Sequence, residues 1–168
     1  HKGFNKLTGT VQESEVKIVA SDAYVGDYFG YSVAVGSGRI VVGAVNDQDG
    51  GNGSGSAYIF NLAGTQIAKI VASDASDGDW FGSSVAVGNG RIVVGAEYND
   101  DIPNNSGSAY IFDLNGTQLA KIVASDAAAF GYFGYSVAVG NGIIVVGAPG
   151  NNFAGSAYIF DLNGTQIA

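Results

Sequence analysis

The sequence contains no cysteine and no methionine, two prolines, one tryptophan, and a single histidine at its first position. The absence of cysteine excludes disulfides, thiolate metal sites and cysteine nucleophiles. A serine nucleophile would need a nearby base, and His1 alone does not provide a plausible one, so we expect that the protein is not an enzyme. No apolar run approaches the roughly 20 residues of a spanning helix, so we expect no membrane insertion.

Positive charge is also scarce. Seven Lys and Arg stand against 15 Asp and Glu, which gives a formal net charge of −8. A protein with this balance is repelled by phosphate backbones and anionic lipid surfaces, which excludes nucleic acid as an expected partner.

Glycine and β-branched residues are abundant instead. The chain has 27 glycines, and 46% of its 168 residues are hydrophobic, mostly Val, Ile, Ala, Tyr and Phe. This composition is typical of many short strands joined by tight turns. We therefore predict an all-β fold.

One segment occurs three times. "YFGYSVAVGSGRIVVGAV" begins at Tyr28 and returns with few changes at Trp80 and at Tyr132, while "KIVASDA" begins at Lys17, Lys69 and Lys121. The repeats are 17–68, 69–120 and 121–168, with 52, 52 and 48 residues. The third lacks four residues between "VVGA" and "GSAYIF", where "PGNNFA" replaces a longer segment, so this position is predicted to be a loop.

Each repeat is predicted to hold four antiparallel strands, at 32–36, 39–44, 56–60 and 65–73 in the first copy. Ser37-Gly38, Asn89-Gly90 and Asn141-Gly142 join the first two strands, and Asn-Gly between apolar runs is a strong hairpin signal. A four-stranded meander of about 50 residues is typical of one blade of a β-propeller. Residues 1–16 align with an outer strand and are predicted to belong to an incomplete blade.

The meander predicts which residues pack and which loops lie together. Alternate side chains of the strands should pack against neighbouring blades: Val33, Val35, Ile40, Val42, Tyr58 and Phe60 with their equivalents. The second-to-third and fourth-to-first connections should share one end of the blades, which we call the long-loop end.

The repeated motifs resemble a known family. Phe29-Gly30, Phe81-Gly82 and Phe133-Gly134 each precede "SVAVG" and "VVGA", and Gly147-Ala148-Pro149 completes "GAP" in the third copy. The chain resembles FG-GAP repeat proteins, as in integrin α subunits and many secreted or surface-anchored bacterial proteins. The resemblance implies an extracellular or cell-surface propeller that acts in adhesion or ligand binding. The calcium-binding loop of the integrin-like version, between the first two strands, is replaced here by "GSG" or "GNG".

Acidic residues concentrate in the predicted long loops, and two interpretations stay open for them. Oxygen ligands near glycines suit Ca²⁺, and six aspartates are the candidate ligands: Asp22, Asp27, Asp47, Asp49, Asp74 and Asp79. Alternatively these are turn and solubility residues, with Asp22, Asp74 and Asp126 bonding local backbone amides.

Aromatic residues in the same loops give a second candidate site. Trp80 and Tyr98, with Asp100 and Asp101, are the candidate surface for a protein or glycan ligand. The favoured function is an adhesion or structural protein that acts through self-assembly and protein binding. The alternative is a small-ligand binder, lectin-like or calcium-binding.

Three blades do not complete a propeller, which typically has four to eight. The missing blades are expected from a longer chain, from a second copy in a six-bladed ring, or from head-to-tail stacking into a fibre.

Overall fold

The computed structural model describes residues 15–100 and 104–167. This part of the chain forms eleven strands in three antiparallel sheets and no α-helix. The strands are β1 Phe29–Gly36, β2 Arg39–Ala44, β3 Ser56–Asn61, β4 Gln66–Ile70, β5 Ser84–Gly88, β6 Arg91–Ala96, β7 Ser108–Phe112, β8 Gln118–Ile122, β9 Ser136–Gly140, β10 Ile143–Ala148 and β11 Ser156–Asp161. A 3₁₀ turn at Asn151–Phe153 precedes β11. The all-β prediction is confirmed.

The sheets are consecutive meanders, as blades of a propeller are, and they do not close into a ring. Blade 1 has the order β1-β2-β3-β4, blade 2 the order β5-β6-β7-β8, and blade 3 only β9-β10-β11. Four strands in the third repeat is therefore a wrong prediction for the described residues. At the fourth position, Gln166 makes one isolated bridge to Phe160. The strand predicted within 1–16 lies outside the described residues except for its last two.

The hairpin turns have the predicted backbone. Asn89 and Gly90 have φ of 51° and 75°, and Asn141 and Gly142 have 52° and 80°. Positive φ at both central residues is the requirement of the tight turn that matches strand twist, and glycine and asparagine meet it with least strain. These turns lie at the end of each blade opposite the long-loop end.

Apolar packing between successive blades forms the core. Between blades 1 and 2, Val41 and Ile59 lie in one buried cluster with Ile92, Tyr110 and Phe112. The equivalent residues of blades 2 and 3 form a second cluster that includes Val93, Ile111, Ile144, Tyr158 and Phe160. Each blade thus buries both faces only when it has a neighbour on each side.

The two outer faces of the three-blade unit are partly open, although Ile18 and Ala20 pack against Val42, Tyr58 and Phe60 on blade 1. Val33 and Val35 are 69% and 71% exposed, whereas Val87, the equivalent of Val35, is 9% exposed between blades. The prediction that Val33 and Val35 pack against a neighbouring blade is therefore wrong for blade 1, because no described sheet precedes it. On the far side of blade 3, Ala138 and Ala157 are exposed.

The repeats and the blades are out of phase by one strand. β4 crosses the boundary at 68/69 between the first two repeats, although it pairs with β3 of blade 1. Each repeat after the first therefore begins inside the outer strand of one blade and supplies the inner three strands of the next.

Candidate functional site

The long-loop end of the blades carries two features: a polar cluster in each blade and a row of aromatic rings. The polar cluster is built from equivalent positions. Each has an aspartate from the connection before the blade, a tyrosine from its third strand, a side chain from the loop before that strand and, in blades 1 and 2, a lysine from the fourth strand.

The Lys69 cluster in blade 1 consists of Lys69, Asp22, Asp47, Asp49 and Tyr58. The Lys69 ammonium nitrogen lies 2.8 Å from Asp22, 2.9 Å from Asp47 and 2.5 Å from Asp49. The Tyr58 hydroxyl lies 2.9 Å from an oxygen of both Asp22 and Asp47. The ammonium is also 5.4 Å from the centre of the Tyr58 ring, within reach of a cation–π interaction.

Burial and hydrogen bonding shift the pKa values of the carboxyl groups in opposite directions in this cluster, and the combined effect of the hydrogen bonds is larger. Burial raises the pKa of Asp22 and of Asp47, but hydrogen bonds from Lys69 and Tyr58 hold both pKa values below the ordinary value. Burial disfavours the Lys69 ammonium, yet the surrounding carboxylates raise its pKa above the ordinary value. Burial, and then the hydrogen bonds to carboxylates, raise the pKa of Tyr58. Lys69, Asp22 and Asp47 are therefore charged near neutral pH.

The Lys121 cluster in blade 2 has the same plan with Asn99 at the position of Asp47, and its described members are Lys121, Asp74, Asn99 and Tyr110. The Lys121 nitrogen lies 2.6 Å from Asp74 and 3.3 Å from the Asn99 side-chain oxygen. Tyr110 donates to Asp74 at 2.9 Å. Burial again raises the pKa of Asp74, and the hydrogen bonds from Lys121 and Tyr110 lower it below the ordinary value.

The Asp126 cluster in blade 3, consisting of Asp126, Asn151 and Tyr158, has the same aspartate and tyrosine but no lysine in the described part of the chain. Tyr158 donates to Asp126 at 2.5 Å, and the Asn151 amide nitrogen lies 3.3 Å from the same carboxylate. The hydrogen bond from Tyr158 lowers the pKa of Asp126. Asn151 is 1% exposed, and its side-chain oxygen has no hydrogen-bond partner among the described residues.

The structure separates the six candidate calcium ligands. Asp22, Asp47 and Asp49 lie around Lys69, and Asp74 lies beside Lys121. Asp27 and Asp79 are buried, and each accepts a hydrogen bond from a backbone amide of its own loop, at Tyr24 and Ser76.

Within the described residues, no group of three or more His, Cys, Asp and Glu side chains is arranged to hold a metal ion. Calcium binding stays a prediction. The alternative interpretation, of turn and solubility residues, also stays a prediction. Asp22, Asp74 and Asp126 each accept a hydrogen bond from a tyrosine hydroxyl, a contact that neither interpretation predicted.

The aromatic row runs across all three blades and comprises Tyr31, Trp80, Tyr98, Tyr132 and Phe130. Trp80 lies between two of these rings, 6.4 Å from the ring of Tyr31 and 4.8 Å from that of Tyr98. Tyr98 lies 5.5 Å from Tyr132, which lies 6.4 Å from Phe130. Rings at these distances, mostly edge to face, support one another.

The row is partly open to solvent. Tyr31 and Phe130 are 52% and 54% exposed at its ends, and Trp80 and Tyr98 are half-buried. The structure thus brings together the two aromatic residues predicted as a ligand surface. Asp100 is exposed in the loop after Tyr98, and Asp101 lies outside the described residues.

A cleft of about 650 Å³ opens between the Lys121 cluster and blade 3. Its lining includes Lys121, Asp74 and Asn99 of the Lys121 cluster, and Val123 and Asp126 of the connection between β8 and β9. The cleft therefore makes Lys121, which is paired with Asp74, and the Asp126 carboxylate accessible to solvent.

The two lysines of the clusters were not predicted from the sequence. Lys69 and Lys121 stand at the head of "KIVASD", five residues before Asp74 and Asp126. The lysine, however, pairs with the aspartate of the preceding copy, and only strand pairing shows this: Tyr58 is opposite Lys69, and Tyr110 is opposite Lys121. The repeated co-occurrence of Lys, Asp and Tyr was the available signal.

Comparison with known proteins agrees with this architecture. A family model described as the FG-GAP repeat matches residues 13–60, 65–112 and 117–160. The second and third matches each span the outer strand of one blade and three strands of the next. A search of curated proteins found no match. The described part of the chain has no helix of the length and apolarity needed to cross a membrane.

Proposed function

Because the chain belongs to the FG-GAP repeat family, we propose that it is a propeller module of an extracellular or cell-surface protein that acts in adhesion or surface structure. FG-GAP repeats are typical of extracellular and cell-surface proteins. In this proposal the blades are a scaffold, and the long-loop end binds a protein partner.

The aromatic row is the observation that carries the proposal. Its rings come from all three blades, so blade packing fixes their spacing. Trp80 and Tyr132 occupy equivalent positions and have φ of 56° and 54°, an uncommon conformation for large residues that places both rings in one row. Partly exposed Trp and Tyr on a rigid framework are typical of the centres of protein interfaces.

Glycan binding is the second candidate, and the same rings favour it. A tryptophan and a tyrosine with exposed surface offer apolar faces on which sugar rings stack, and carboxylates nearby accept hydrogen bonds from sugar hydroxyls. Asp100 follows Tyr98 by two residues and is exposed.

Trp80 is the only tryptophan in the sequence and lies in the row, so its fluorescence reports directly on binding there. The protein is titrated with extracellular matrix proteins and with a panel of soluble glycans, and binding is confirmed by surface plasmon resonance. We expect a saturable change with a protein ligand, and a loss of at least about ten-fold in affinity for Tyr98→Ala.

Tyr24→Ala is the matched control, because Tyr24 is 78% exposed and has no ring contact within the described residues. A response only to glycans would favour the second candidate. A response that Tyr98→Ala and Tyr24→Ala reduce equally would contradict a binding role for the row.

A further inference from the structure

The two open faces of the molecule are equivalent to faces that already pack against each other inside it. Val33 and Val35 on blade 1 correspond to Val85 and Val87, which pack against blade 1. On blade 3, Val145 and Ile159 correspond to Val41 and Ile59 of blade 1, whose side chains pack against blade 2. The chain therefore carries the two halves of a third interface of the same kind.

The backbone of the open faces is shaped for the same close approach. A β-carbon added at Gly36 would lie 2.4 Å from the Val87 carbonyl oxygen, and one at Gly88 would lie 2.8 Å from that of Val139. At Gly140, the equivalent position on blade 3, an added β-carbon meets nothing within 4 Å. Gly140 thus leaves room for the close approach of another blade's backbone, and no described residue occupies that space.

Serine hydroxyls at the interfaces follow the same pattern. Ser32 donates across to the Gly82 carbonyl at 2.7 Å, and Ser84 donates to the Gly134 carbonyl at 2.7 Å. Ser136 is their equivalent and is exposed on blade 3. The corresponding carbonyl, that of Gly30, lies at the open face of blade 1.

Residues 16–21 already lie where the outer strand of a preceding blade would lie. A β-carbon added at Gly64 would meet Ile18 at 2.9 Å, as one at Gly116 would meet Ile70 at 2.9 Å. Ser21 accepts from and donates to the Gln66 side chain at 3.1 and 3.0 Å. Ser73 does the same with the Gln118 side chain at 2.9 and 3.0 Å.

This placement determines where Lys17 would act. Lys69 heads the equivalent segment and pairs with the carboxylates of its own blade, whereas Lys17 is exposed and forms no ion pair with any described residue. The Asp126 cluster, in contrast, has no lysine among the described residues. The buried side-chain oxygen of Asn151 has no described partner, whereas the equivalent oxygen of Asn99 lies 3.3 Å from the Lys121 nitrogen.

We propose that blade 3 of one copy packs against the open face of blade 1 of a second copy, and that Lys17 of the second copy completes the Asp126 cluster. Residues 17–21 then continue the fourth strand of blade 3, with Lys17 opposite Tyr158 as Lys69 is opposite Tyr58. Two copies joined at both ends make six blades, within the range of closed propellers. The interface gives the proposed structural role a specific partner and does not depend on ligand binding by the aromatic row.

Sedimentation velocity of the 168-residue protein, from about 1 to 100 µM, tests for the association. We expect the wild type to dimerise, and both Gly140→Ala and Lys17→Asp to raise the dissociation constant at least about ten-fold. Both positions are exposed, so thermal unfolding of the dilute monomer should be unchanged. Asp100→Lys, a charge change on an exposed loop residue, is the control and should leave association unchanged.

A charge exchange tests the specific contact. Lys17→Asp and Asp126→Lys should each weaken self-association, because each places like charges together across the junction. Mixing the two variants should restore dimers, because one junction is then native and the other pairs the exchanged charges. Ligand titrations of Trp80 fluorescence on the same samples report separately on the proposed function.

A wild type that is monomeric throughout this range would overturn the proposal and assign the open faces to another occupant. Association unaffected by both Gly140→Ala and Lys17→Asp would also overturn it. If Asp126→Lys does not fold, these two exposed variants still decide the outcome.

Discussion

Blades 1 and 3 have nearly the same sequence but differ in how their polar clusters are satisfied. In blade 1 the aspartate and tyrosine positions surround Lys69, which contacts three carboxylates. In blade 3 the same aspartate and tyrosine lie beside Asn151, whose oxygen is buried without a partner. The difference arises because the lysine of each cluster belongs to the repeat that follows. The polar cluster of a blade is therefore completed by the repeat that follows, and its core by the neighbouring blade.

The first prediction uses the phenylalanine of the FG motif. Phe81→Ala should lower the free energy of unfolding by about 3–5 kcal/mol, because Phe81 is fully buried between blades and packs edge to face with Tyr110 and Phe112. Phe29→Ala, the equivalent on the open face of blade 1, should lower it by roughly half as much. Urea denaturation of the dilute monomer measures both. Equal losses would show that blade 1 is covered as blade 2 is.

The second prediction compares the two lysines. Lys69→Met should lower the free energy of unfolding by about 2–3 kcal/mol, because it leaves the buried Asp47 carboxylate without its ammonium. Lys121→Met should lower it by about 1 kcal/mol, because the Asp74 carboxylate is more exposed than that of Asp47. Chemical denaturation measures both values. A larger loss for Lys121→Met would contradict this ranking of the clusters.

The third prediction is a graded series at one strand position. Gly36→Ala and Gly88→Ala should each lower the free energy of unfolding by about 1–2 kcal/mol, with Gly36→Ala the larger, because the new β-carbon meets a carbonyl oxygen of the next blade. Gly140→Ala should change it by less than about 0.5 kcal/mol in the monomer. Thermal unfolding of the three variants gives the order, and a Gly140→Ala loss as large as that of Gly36→Ala would contradict it.

The fourth prediction concerns pH. The folded pKa values of Asp22, Asp47 and Asp74 lie below the ordinary value of 3.8, so the stability that they contribute is present above that pH and is lost as pH falls through their folded pKa values. The folded pKa of Lys69 is raised, so its contribution is lost only in strong alkali.

We therefore expect the free energy of unfolding to fall below about pH 4 by roughly 1 kcal/mol per unit. Lys69→Met should show a shallower acid limb, because the Asp22 and Asp47 pKa values then lie closer to the ordinary value. Urea denaturation at a series of pH values gives both slopes, and identical acid limbs would show that Lys69 does not set these pKa values.

Local sequence patterns predicted the strands and turns well because these depend on neighbouring residues. Asn89-Gly90 gave the correct turn, and the 39–44 strand has the predicted bounds. The polar clusters escaped prediction because their members come from different repeats, as Asp22 and Lys69 do. The exposure of Val33 was not predicted either, because a repeat pattern indicates which face of a strand is apolar but not whether a neighbouring blade covers that face.

The strand that crosses the repeat boundary has a consequence for the length of such a protein. Each 52-residue unit delivers a lysine to the blade before it and an aspartate and a tyrosine to the blade that it begins. Adding or deleting one whole unit therefore keeps every internal cluster matched, whereas cutting at a repeat boundary such as 68/69 removes a lysine from its carboxylates. Arrays of this repeat can change in size by single units without altering any existing junction.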